Sequence, residues 1–67
     1  MNAITVNGED RPVPEGATVA SLLEELGFAG RKVAIERNLE IVPRSLYDRT
    51  PVEAGDRLEV VTFVGGG

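Results

Sequence analysis

Sixty-seven residues make one domain with a small core, because a chain this short buries only about 60% of the surface its unfolded form exposes. Seven Lys and Arg stand against eleven Asp and Glu, for a formal charge of −4, and the cations are scattered among carboxylates. That pattern argues against a nucleic-acid surface, which needs clustered cations to displace phosphate counterions. The absence of cysteine and histidine removes disulfides, thiolate or imidazole metal ligands, and the usual nucleophile and base pairs.

The N-terminus, MNAITVNGED, has neither a basic flank nor a long apolar run, and no stretch approaches a membrane span. The chain is expected to be cytoplasmic, without membrane or nucleic-acid partners. Its mildly acidic surface favours an encounter with a basic patch on another protein. One Tyr, two Phe and no Trp leave the core to aliphatic side chains.

Residues 3–7 alternate, with Ile4 and Val6 on one face, as a half-buried strand requires. Asn7-Gly8 then signals a tight hairpin, and the returning strand runs from Asp10 to Val13. Pro12 has no N–H to donate, which places that strand at an edge. Residues 18–26 form the clearest helix. Thr18 is suited to the N-cap and Gly27 to the left-handed residue beyond the end, while Val19, Leu22, Leu23 and Leu26 line one side.

Val33 to Arg37 is a strand with Val33 and Ile35 on one face; Asn38 turns it and Glu40 to Val42 returns, stopped by Pro43. Leu39 in this turn is not expected to adopt a positive φ. A helical turn is expected over 45–49 and a tight turn over Glu53 to Asp56, where Asp56 serves its own turn. The longest strand candidate, 57–64, is rich in β-branched and aromatic residues. One helix cannot bury its stripe alone, so the order predicts an α+β fold: a mixed sheet of four to five strands crossed by one helix, with the first and last strands paired centrally.

The end of the chain carries the chemistry. Gly65, Gly66 and Gly67 follow the final strand with no polar spacer, so residues 1–64 are expected to form the domain and 65–67 a flexible tail. Considered alone, a glycine run at a terminus is usually frayed chain. Yet three extended residues reach about 10 Å and, lacking Cβ atoms, pass through a slot that no other side chain enters. A carboxylate at Gly67 becomes reactive once adenylated with ATP, and a sulfur donor then displaces AMP to leave a thiocarboxylate. No step needs a side chain from this protein. The scattered carboxylates show no metal-ligand spacing, and so small a domain cannot easily shield an acid–base pair; an intrinsic enzyme is rejected.

Strand alternation assigns Leu58 and Val60 to the core, and Val61 and Phe63 to the outer face beside the tail, where with Val64 they would form a docking patch. A bulge or loop covering Phe63 is the competing reading. Arg44, directly after Pro43, is a candidate contact for an acidic group on a partner, although a lone loop arginine is more often simply solvated.

Asn7-Gly8, the TVASLLEELG helix, IVPR at 41–44 and EAGDRLEVVTFVGGG together resemble the thiamine-biosynthesis sulfur-carrier family, ubiquitin-like β-grasp proteins, over essentially the whole chain. Asn38-Leu39 departs from the Asn-Gly often found there. The resemblance implies adenylation of Gly67 by an E1-like enzyme and conversion to a thiocarboxylate with sulfur from a cysteine desulfurase. It further implies delivery to thiazole synthase, with no resident cofactor and no metal. The molybdopterin-synthase small subunit and a ubiquitin-like modifier conjugated through Gly67 share the tail chemistry. A β-grasp interaction module with an idle tail is the remaining alternative.

Overall fold

The computed structural model describes residues 1–63 and contains five strands, one α-helix and one short 3₁₀ segment. In chain order these are β1 (Asn2–Val6), β2 (Glu9–Val13), α1 (Val19–Glu25), β3 (Val33–Arg37), β4 (Glu40–Val42), the 3₁₀ turn Arg44–Leu46 and β5 (Arg57–Thr62). The strands form one sheet in the order β2-β1-β5-β3-β4. β1 and β5 run parallel at its centre and every other neighbour is antiparallel, so the sheet is mixed, as expected.

Local chemistry explains each boundary. Asn7 and Gly8 both take positive φ, 51° and 83°, the left-handed pair that a two-residue hairpin turn needs. Pro12 lies in β2, an edge strand, where its missing N–H costs the sheet nothing. Thr18 caps α1 reciprocally: the Ser21 N–H donates to Thr18 Oγ1 at 3.2 Å, and the Thr18 N–H donates to Ser21 Oγ at 2.9 Å. Beyond Leu26 the helix closes on Gly27 at φ 86°.

Three expectations are corrected. β5 stops at Thr62 instead of 64; Phe63 lies beyond it, and Val64 falls outside the described residues. The helical turn is a 3₁₀ turn at Arg44–Leu46, one residue earlier than 45–49, starting directly after Pro43. Leu39 does adopt a positive φ, 71°, after Asn38 at 52°. The Asn38 side chain explains how. Its Oδ1 accepts from the Arg57 N–H at 2.9 Å and its Nδ2 donates to Asp56 Oδ1 at 3.1 Å, which ties the turn to the start of β5.

The core lies between α1 and one face of the sheet. Val19, Leu22 and Leu23 pack with Ile4, Val6, Ile35, Leu58 and Val60, all buried. Val52 joins them from the irregular segment after the 3₁₀ turn, where its N–H donates to the Ala17 carbonyl at 2.9 Å. The other face of the sheet is covered by no described element.

Candidate functional site

The last strand presents its two faces as the alternation requires. Leu58 and Val60 are buried, whereas Val61 and Phe63 are each 54% exposed. Val61 lies opposite Ala34 on β3, too small to shade it, and Ile41 on β4 is also exposed on the same open face. Glu36 and Glu59 oppose each other beside them, and neither forms an ion pair among the described residues. Like charges facing across strands weaken a sheet by a few tenths of a kcal/mol or more.

β5 is positioned by a feature that the sequence did not reveal. The parallel ladder with β1 holds only two residue pairs, Thr5 with Arg57 and Val6 with Leu58. The Asn7 side chain extends it: the Val60 N–H donates to Asn7 Oδ1 at 2.8 Å, and Asn7 Nδ2 donates to the Val60 carbonyl at 3.2 Å. The side-chain amide stands in for a peptide unit and holds the half of β5 that leads to Val61 and Phe63.

At the start of β5, Asp56 is buried, 7% exposed, and accepts from the Glu53 N–H at 2.8 Å, Arg37 Nε at 2.7 Å and Asn38 Nδ2 at 3.1 Å. Burial pushes its carboxyl up. The hydrogen bonds from Glu53, Arg37 and Asn38, with the Arg37 charge, outweigh burial and hold it below its ordinary value. Asp56 therefore does more than close its own turn, since it clamps the β3–β4 turn to β5.

Where β5 ends, a shallow groove opens between the start of β3 and the 3₁₀ turn. Pro43, Tyr47 and Phe63 line it together with Arg31, Lys32 and Arg44. The structure thus brings Phe63 and Arg44 to one groove, while Val61 lies outside it on the open face. Tyr47 braces the groove by donating from its hydroxyl to the Val33 carbonyl at 3.3 Å. Arg31 is set by the turn before β3, its N–H donating to the Phe28 carbonyl at 2.9 Å and its guanidinium lying 5.7 Å from the Phe28 ring centroid. Arg31 and Lys32 were not singled out by the sequence; only the pairing of Val33 with Thr62 brings them beside Phe63. Val64, Gly65, Gly66 and Gly67 lie outside the described residues.

A model of the ThiS family matches residues 4–67, so the match runs through all three terminal glycines. The chain belongs to the ThiS family. That family comprises the sulfur carriers of thiamine biosynthesis, and it accounts for the five-stranded β-grasp sheet and its single helix. The sulfur carrier protein ThiS of Thermus thermophilus is 38% identical over 64 residues, covering 96% of this chain and 98% of that protein. A crystal structure of ThiS from Geobacter metallireducens superposes with a TM-score of 0.78 at 39% identity, covering 97% of this chain and 99% of that one. The thiazole synthase of Paramagnetospirillum magneticum is 55% identical over 64 residues, 96% of this ThiS-family chain. The chain spans only 20% of that protein's length, and the same share of the thiazole synthase of Magnetococcus marinus.

Among the described residues no helix is long and apolar enough to cross a membrane. Nor does any group of three or more Asp or Glu among them stand ready to hold a metal ion.

Proposed function

We propose that this ThiS-family chain carries sulfur as a thiocarboxylate on Gly67 and acts as a co-substrate of other enzymes, with residues 1–64 as the recognised domain and 65–67 as the tail that enters their active sites. The observation that carries the reading is the family match, which extends to Gly67 and so includes the tail itself. An E1-like enzyme supplies ATP. The Gly67 carboxylate attacks the α-phosphorus, pyrophosphate leaves, and the acyl-adenylate forms. The outer sulfur of a persulfide derived from a cysteine desulfurase then attacks the acyl carbon, and AMP departs with the bonding electron pair. A thiol of the partner system next attacks the persulfide's inner sulfur in the acyl disulfide, forming a disulfide and releasing the thiocarboxylate. The thiocarboxylate that results gives its sulfur to thiazole synthase.

The chain's own contribution is geometric. Gly65, Gly66 and Gly67 have no Cβ atoms, so the reacting carbon can be reached without steric hindrance. Val61, Phe63, Val64 and Arg44 provide the surface that a partner grips. The Asn7 clasp and the Asp56 clamp fix β5, the strand that precedes the tail in sequence. The thiamine assignment is preferred to the molybdopterin one because relatives of matching length bear the ThiS name.

The test is the intact mass of the protein isolated from its own cells grown without thiamine. It must show Gly67 as the last residue and a fraction in which sulfur replaces one oxygen. A mass that is never sulfur-shifted, with Gly-Gly remnants on lysines of other proteins, would convert the reading to that of a modifier. Extending the chain by one residue after Gly67 should abolish ATP–pyrophosphate exchange while leaving the unfolding curve unchanged.

A further inference from the structure

The charge of this protein is unevenly placed. Only seven of its residues are Lys or Arg, yet three of them, Arg31, Lys32 and Arg44, ring the groove whose apolar floor is made by Pro43, Tyr47 and Phe63. No carboxylate lines this groove, although the molecule carries a net charge of −4. All three cations are exposed, and none forms an ion pair among the described residues. Arg37, by contrast, is spent on Asp56 and Glu53.

We infer that this groove seats an acidic segment of the adenylating partner, with an aliphatic side chain resting on Phe63 and Tyr47 and carboxylates answering Arg31, Lys32 and Arg44. The inference rests on the carrier reading and names the chemistry that the partner must present. Charge complementarity decides for a protein segment. An apolar floor with cations at its rim fits a side chain flanked by carboxylates, whereas a bare phosphate gains nothing from the floor. The position gives the contact a purpose: Phe63 stands two residues before Gly65 in the sequence, so a partner held in this groove is held close to the tail along the chain.

The experiment measures binding of the full chain to the adenylating enzyme without ATP, by titration calorimetry. The triple variant R31E/K32E/R44E should raise Kd by about tenfold or more, and R31Q/K32Q/R44Q by an intermediate factor. At saturating chain concentration with ATP, the kcat for adenylation should stay within about twofold of wild type, because docking and not chemistry is altered. The matched control R11E/R49E/R57E makes the same change in net charge elsewhere and should shift Kd by less than about threefold. Circular dichroism and thermal unfolding check that each variant is folded. Equal Kd values for wild type and groove variant overturn the inference, as does an equal shift in the control. Saturable binding of pyrophosphate to the chain alone, lost in the groove variant, also overturns it by making the groove a phosphate site. A wild-type chain that the enzyme neither binds nor adenylates defeats the carrier reading and this inference with it. Normal adenylation with groove variants that bind as well as wild type defeats the groove alone.

Discussion

The Asp56 carboxylate takes hydrogen bonds from a backbone N–H, a guanidinium and a side-chain amide, all of which favour its charged form. Its pKa in the folded protein lies below the ordinary 3.8. Stability from such a group is fully present above the ordinary carboxylate range and is lost as pH falls through the lower, folded value. Urea unfolding should therefore weaken on acidification below about pH 4 in wild type. In Asp56→Asn it should be weaker already at neutral pH but fall less with acid. Parallel acid limbs would mean that another group is responsible. At Leu39 the argument runs the other way. A left-handed backbone costs a residue with a Cβ roughly 1 kcal/mol or more. Leu39 is 78% exposed, so it recovers little by packing. Leu39→Gly should raise the unfolding free energy by about 0.5 kcal/mol, after allowing for the extra freedom of glycine in the unfolded chain. No gain would show that the turn relaxes around leucine. Neither residue declared this in the sequence: Asp56 read as a local turn former because its partners Arg37 and Asn38, though on the neighbouring strand and its turn, lie 19 and 18 residues away in the chain.

The elements themselves were legible wherever their signals are local. Asn7-Gly8 gave the hairpin, Thr18 and Gly27 bracketed the helix, and alternation sorted Leu58 and Val60 from Val61 and Phe63. Signals that depend on distant partners were not readable. Asn7 looked like a turn residue and nothing more, since its bond to Val60 joins segments that no local pattern connects. The groove escaped for the same reason, being assembled from residues in and before β3, in and after β4, and beyond β5. Two predictions belong to this scale. Asn7→Ala should cost about 1–3 kcal/mol in chemical denaturation, because it leaves the Val60 N–H and carbonyl short of partners in a half-buried setting and puts alanine at a left-handed φ of 51°. Asn7→Asp, which keeps only the acceptor, should fall between. Phe63→Ala should change stability by less than about 0.5 kcal/mol, as exposed positions do, while weakening capture by the adenylating enzyme. A large loss of stability with unchanged binding would assign Phe63 to packing.

Over the whole molecule, the negative charge is broadly spread and includes the unrelieved pair Glu36 and Glu59 on the open face, while cations gather at the end of the sheet where β5 finishes. Such a distribution orients an approaching partner, and orientation by charge is screened by salt. On the carrier reading, stopped-flow association with the proposed adenylating enzyme should slow as ionic strength rises; a flat response would remove electrostatics from the encounter. The same end of the molecule depends on β5, which comes last among the described strands yet occupies the middle of the sheet between β1 and β3. Joining Thr5 to Arg57 closes a loop over most of the chain, a contact that is slow to form. On the carrier reading, a half-built chain therefore offers no completed handle to the enzyme proposed to load it, and loading becomes a report on maturity. A purely destabilising substitution deep in the sheet would then surface first as poor charging of the carrier, long before any fall in protein level revealed its true cause.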